Sequence, residues 1–211
     1  MTRTALPCLL LLAALAECGS SPGSGTRADH ASPSPSFGAT YGLLSQDELD
    51  AALLGLHDVP VGYSQDPPSH DTANSSFCGQ KAATPDVKAS RDFTRGGGLS
   101  TQVIDLAISQ YKSDREAQDV FASVSKLFET CHGEMFQGRK LTYALMSVPK
   151  AGDESFGLRI TAGRNITYIA NYALVGPVVV TTIGGGYFTV NTDQISTLFT
   201  KQVSSYQDAA N

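Results

Sequence analysis

The chain has 211 residues, with 20 Asp and Glu against 15 Lys and Arg, a formal charge of −5 and a pI near 5.3. This acidic balance, with no Lys/Arg cluster, argues against a nucleic-acid surface, whose phosphates demand a basic face, and against polybasic membrane binding. The length suits one domain plus appendages, and a hydrophobic content of 41% with 20 Gly and 10 Pro is that of a turn-rich globular chain.

The N-terminus has the form of an export signal. Arg3 supplies a positive start, and residues 5–16 (ALPCLLLLAALA) form an apolar run of 12 residues. A bilayer core needs about 20 residues, so the run matches a signal-peptide core instead of a membrane span. Two cuts compete after it. Leu15-Ala16-Glu17-Cys18 resembles the bacterial lipobox, in which the Cys is acylated and becomes the first mature residue, although Glu17 stands where that pattern has a small residue. Ala14-Leu15-Ala16 satisfies the small-x-small rule of ordinary signal peptidase. Cysteine parity favours the lipobox. Removing Cys8 with the leader leaves Cys18, Cys78 and Cys131, and two of these should pair in an oxidising compartment. Cys78 and Cys131 lie within folded sequence, whereas Cys18 opens a polar tract. The expectation is a lipoprotein signal peptide over 1–17, lipidation at Cys18, and attachment to the outer face of the cell membrane. Cleavage after Ala16 would give a secreted protein instead.

Residues 18–40 form a Ser/Pro/Gly tether. Its core, GSSPGSGTRADHASPSPSFG, cannot bury enough apolar surface to offset chain entropy, and its mean reach would be roughly 25 Å. The folded domain is expected over 41–208. Ser45 and Glu48 form a capping box for a first helix that ends near Gly55, and residues 57–76 carry the Pro and Asp signals of a long loop. Strands are expected at 87–95 and 100–111, with Ile104, Leu106 and Ile108 on one strongly apolar face. In SDREAQDVFASVSKLFETC, Ser113 and Glu116 predict a second capping box. Ala117, Val120, Phe121, Val124, Leu127, Phe128 and Cys131 follow the helical stripe. A Cys78–Cys131 bridge would pin the end of this helix to the preceding loop, and closing that interval restricts the unfolded chain by about 4 kcal/mol in the entropy model. Further strands are expected at 139–148, 155–162, 165–175 and 177–183 with short antiparallel joins, and a last helix at about 192–207. The order predicts an α+β domain, a twisted antiparallel sheet with helices packed on it.

No catalytic constellation emerges. Gly152-Asp153-Glu154-Ser155-Phe156-Gly157 lacks the upstream Gly of a nucleophile elbow. It reads as a turn entering a strand, with Asp153 bonding local backbone, or else as a functional carboxylate pair. His30, His57, His70 and His132 have no metal-ligand spacing, and no metal or cofactor is expected. The runs Gly96–Gly98 and Gly184–Gly186 match neither phosphate-loop pattern and read as turns or strand ends. Asn74-Ser75-Ser76 and Asn165-Ile166-Thr167 match a glycosylation sequon to which an exported bacterial chain gives no meaning. The remaining candidate surface is aromatic: Tyr168 and Tyr172 share a strand face, and Arg159 on the preceding strand would add a guanidinium suited to glycans, peptides or anions. The alternative is that these tyrosines only cover the core edge.

The lipobox-like leader, the tether, the helix followed by VPVGYS, Cys78 in FCGQK, the Cys-ended helix and GDESFGL together resemble actinobacterial envelope lipoproteins. Those carry a domain similar to the extracellular sensor domain of the mycobacterial Ser/Thr kinase PknH. The likeness covers roughly residues 41–208, and its motifs are short and mostly structural. It implies a twisted antiparallel sheet with disulfide-tied helices and a ligand-binding cleft. The chain departs from it in having no kinase domain and one possible disulfide instead of a two-bridge framework. The resulting expectation is a non-enzymatic domain that binds an unidentified envelope ligand or protein partner. The alternatives are a lipid or glycolipid carrier with an internal apolar cavity, and a purely structural envelope protein.

Overall fold

The computed structural model describes residues 41–67, 70, 76–187 and 190–211. The leader, Cys18, the tether, Asp71 and the Asn74 sequon lie outside the described residues. The first half of the domain comprises α1 (Gln46–Ala52), β1 (Ser64–Gln65), β2 (Ser76–Phe77), β3 (Gln80–Lys81), β4 (Val87–Arg95) and β5 (Gln102–Gln110). The second comprises α2 (Asp114–Thr130), β6 (Gly133–Phe136), β7 (Arg139–Met146), β8 (Glu154–Ala162), β9 (Ile166–Val175), β10 (Val178–Tyr187) and α3 (Thr192–Ala210). One eight-stranded sheet runs in the order β1-β4-β5-β10-β9-β8-β7-β6, antiparallel throughout, and β2-β3 form a separate small hairpin. The expected α+β architecture is therefore present, with β1, β2, β3 and β6 added to it.

Strand alternation divides the domain into two cores. Ile104, Leu106 and Ile108 of β5, Ile169, Ala173 and Val175 of β9, and Val178 and Val180 of β10 pack beneath α1 and α3. The intervening residues Ala170, Tyr172 and Leu174 point the other way, onto Ala117, Phe121 and Phe128 of α2. Central strands covered on both faces require apolar side chains on both, and the run from Ile169 to Val175 is buried at every position. Gly184, Gly185 and Gly186, read as a turn or a strand end, form the last part of β10, paired to β5 and β9. A Cβ at Gly184 would stand 2.0 Å from Ile195 Cδ1, so the missing side chain lets α3 settle on the sheet.

Helix α1 has only seven residues and depends on others for its ends. Ser45 and Glu48 close the expected capping box. At the C-terminus, Arg91 donates to the carbonyls of Leu53 and Leu54 at 2.9 Å and of Asp50 at 3.2 Å. This sets a cation where the helix dipole is negative. The buried Gln202 amide of α3 accepts from Leu54 N–H at 3.0 Å and donates to the Ala52 carbonyl at 2.9 Å. One side chain thereby replaces a stretch of backbone pairing. In α2, the Ser113 hydroxyl accepts from Glu116 N–H, while the Glu116 carboxylate reaches Lys112 N–H instead of completing the box.

GDESFG is a structural joint. Asp153 accepts from Gly176 N–H at 2.9 Å and its own N–H donates to Leu174 O at 2.8 Å, tying the start of β8 to the β9–β10 turn. The partners of Asp153 are thus distant in sequence, not the local backbone expected. Gly152 adopts φ +66°, and a Cβ there would approach Leu174 O to 2.3 Å. The Cys78–Cys131 disulfide forms across 53 residues as anticipated, holding the β2–β3 turn against the last turn of α2.

Gly163, at the β8–β9 turn, shares φ +66° but has open space around it. Gly163→Ala should cost about 1 kcal/mol for left-handed backbone alone. Gly152→Ala should cost about 1–3 kcal/mol more because backbone must move. Urea unfolding of both variants checks this, and equal losses would remove the joint from the account.

Candidate functional site

Sheet and helix α2 do not close completely. A cleft of about 180 Å³ remains between the N-terminal half of α2 and strands β4, β5, β9 and β10. Val120, Phe121 and Val124 of α2 form its roof and Phe156 with Tyr172 one wall, while Phe77 and the segment from Ala82 to Pro85 stand at the rim. Its floor exists because β5 turns small or polar side chains this way. Asp105, Ala107 and Ser109 occupy the face opposite Ile104, Leu106 and Ile108, leaving a space that larger side chains would fill. Thr181 of β10 and Lys88 of β4 complete the polar part.

Aromatic packing fixes the wall. Phe156 stacks on Tyr172 at 4.7 Å between centroids with planes 16° apart, and Phe121 meets Phe156 edge-on at 5.2 Å. Phe77 packs edge-on against Phe128 at 5.5 Å and Tyr143 at 6.3 Å. The neighbouring Cys78 is held twice, by the disulfide and by its N–H donating to Glu134 Oε2 at 2.8 Å. Glu134 also accepts from the Tyr143 hydroxyl. Bridge, carboxylate and aromatic contacts together set Phe77 at the rim.

The electrostatic centre is Asp105. It lies directly across from Asp92 in the β4–β5 register, so two carboxylates share one face. Burial, then the charge of Asp92, push Asp105 up to about 6, with Lys88 acting in the opposite direction. Burial and the charge of Asp66 likewise raise Asp92, again against Lys88. Among the described residues no hydrogen bond is made to the Asp105 carboxylate. Tyr172, buried beside it, has its phenol raised by burial and by Asp105. A half-buried carboxylate titrating near neutrality is suited to charge recognition and proton uptake. The described residues lining the cleft include no His and no Cys.

The residues singled out in the sequence distribute unevenly. Tyr172 lines the cleft. Tyr168 shares its sheet face but lies one pair further along, between Ile160 and Gly185, outside the cleft. Arg159 pairs with Ile169 and so shares the α1/α3 face with it, opposite to the face of Tyr168 and Tyr172, where it is exposed. The register separates it from both tyrosines, and the expected aromatic–guanidinium surface does not form. His70 lies instead on Asp50 of α1, at 2.8 Å. In the sequence Asp105 stands only as one member of an alternating set with Val103 and Ala107, and Asp92 and Lys88 go unremarked, although Asp is depleted in strands and its presence at mid-strand in VIDLAIS is an available signal. A second concavity lies at the other end of the sheet near the start of α3, where Arg95 stacks 4.7 Å over the Tyr63 ring.

No protein-family model matches the chain and no curated protein matches it by sequence. Among solved structures, the crystal structure of the extracellular domain of PknH from Mycobacterium tuberculosis superposes with a TM-score of 0.63 at 13% identity. The match covers 80% of this chain and 99% of that domain. The two share a fold, as the sequence resemblance implied.

The raised Asp105 has a sign that can be checked. Between its unfolded value near 3.8 and its folded value of about 6, the native state holds the extra proton, so stability from this group falls as pH rises through that window. Asp105→Asn should therefore gain in melting temperature over the wild type as pH goes from 4 to 7, with no further gain above 7.5. A difference independent of pH would mean that Asp105 titrates normally.

Proposed function

We propose that this chain is a membrane-anchored envelope lipoprotein whose domain binds a ligand or partner non-enzymatically, in a sensor-like manner, through the cleft beneath α2. The observation that carries the reading is an open cleft with a half-buried carboxylate on its floor, in a domain with the fold of a kinase's extracellular domain. The leader and the odd Cys18 support export and anchoring. The Cys78–Cys131 bridge suits an oxidising compartment, and no described helix is long and apolar enough to cross a membrane. Size weighs against the lipid carrier. A cavity of 150 Å³ holds a benzene ring, so 180 Å³ holds little more than one ring or a short chain, not the acyl tails of a lipid.

Native mass spectrometry of protein drawn from its own envelope tests the reading. The expected mass is that of a chain beginning at an acylated Cys18, with a small molecule retained until the domain is unfolded. An unmodified N-terminus at Glu17 would remove the anchor. Turnover of a cell-wall substrate, lost on changing one cleft residue, would overturn the non-enzymatic reading.

A further inference from the structure

Charge and shape together narrow what the cleft accepts, provided that it is a ligand site as proposed above. Asp105 from β5 and Asp92 from β4 face each other across the ladder, and Asp66 lies close enough to act on Asp92. Lys88 is the one cation acting on either. Helix α2 presents only Val120, Phe121 and Val124 to the cleft, and the β9 and β10 contributions, Tyr172, Val179, Thr181 and Ile183, are neutral at pH 7. Among the described residues the charged groups lining the cleft are Asp105 and Lys88, while Asp92 stands outside the lining; at Asp105 the charge of Asp92 outweighs that of Lys88, so the field there is negative.

Each class of occupant meets this floor differently. An anion would be driven against Asp105, with the charge of Asp92 behind it across the ladder. A neutral apolar guest would strip the remaining water from Asp105 and return no partner to it. An organic cation adds to the partial counter-charge of Lys88, and the rings of Phe121, Phe156 and Tyr172 add aromatic surface attractive to an ammonium. The apolar roof fits the rest of such a molecule.

We propose that the cleft binds a small organic monocation, an ammonium group carried on an apolar body of roughly one ring or six to eight carbons. The ammonium sits on Asp105 beside Asp92, and the body lies beneath Phe121 and Val124 against the Phe156–Tyr172 stack. Bound cation and bound proton then compete for Asp105, and a carboxyl that titrates at about 6 gives the competition a readable window.

Three probes of matched length separate the possibilities: hexylammonium, hexan-1-ol and hexanoate, titrated into the intact mature chain and followed by amide NMR shifts. Hexylammonium should saturate, moving the amides of Asp105, Ala107 and Val120. Its affinity should fall about tenfold between pH 7.5 and pH 5, as protonation removes most of the Asp105 charge. Asp105→Asn should weaken hexylammonium at least tenfold while leaving hexan-1-ol unchanged, and Asp92→Asn should weaken it less. Hexan-1-ol or hexanoate binding as tightly as the amine at the same amides would overturn the cation assignment and leave the cleft standing as a ligand site. If no probe moves those amides, both the assignment and the cleft reading fail.

Discussion

The structure depends on a sheet that is apolar on both faces at its centre. Residues 169–175 place Ile169, Ala173 and Val175 on one side and Ala170, Tyr172 and Leu174 on the other, all removed from water. Such a strand must be covered twice, which accounts for the three layers. The two sides are covered unequally. Helices α1 and α3 share one face and are joined through Gln202 and Ser205 of α3, whose polar atoms converge with Arg91 of β4 on the C-terminal carbonyls of α1. The other face has α2 alone.

One helix cannot cover that face. Eight strands at about 4.8 Å make a sheet roughly 34 Å wide, and a helix with its side chains is about 10–12 Å across. The strands beyond its reach must carry residues that tolerate water. On this face β4 and β5 do so, with Lys88, Asp92, Asp105 and Ser109 where the opposite face has Ala89, Phe93, Ile104 and Ile108. The cleft is therefore the margin of an incomplete layer, and Asp105 stands where apolar cover gives way to solvent. Its raised pKa and its access to a ligand have the same origin. The disulfide matters for the same reason: a single covering helix has no neighbouring helix to steady it. The Cys78–Cys131 bridge fixes its C-terminal end, and with Glu134 it holds Phe77 over the rim.

Local signals were legible in the sequence, and register was not. The capping box at Ser45, the apolar stripe of α2, the Cys78–Cys131 pairing and strands β4, β5, β7, β8 and β9 follow from spacing that reports on the immediate neighbourhood. The short edge strand β6, with Met135 and Phe136 largely exposed, carries no alternation strong enough to announce itself. Gly184–Gly186 resemble a turn until α3 is known to rest on Gly184 and neighbouring backbone to lie close against Gly185 and Gly186. Arg159 was placed beside Tyr168 and Tyr172 because the strands are adjacent. Which face a residue takes depends on the register between strands, and a shift by one residue reverses it. Asp105 was visible only as one member of an alternating set. Its chemistry comes from Asp92 and from the roof of α2, which the chain brings there from different segments.

The central claim is that the bridge holds the rim of an open cleft, beyond adding general stability. Hydrogen exchange on the native chain and on Cys131→Ser, compared well below the melting temperature of each, addresses it directly. The account predicts faster exchange confined to the C-terminal half of α2, the β2–β3 hairpin and β6–β7, with β9, β10 and α3 unchanged. A uniform loss of protection across both layers would contradict it, because the bridge would then stabilise the whole fold without shaping the cleft.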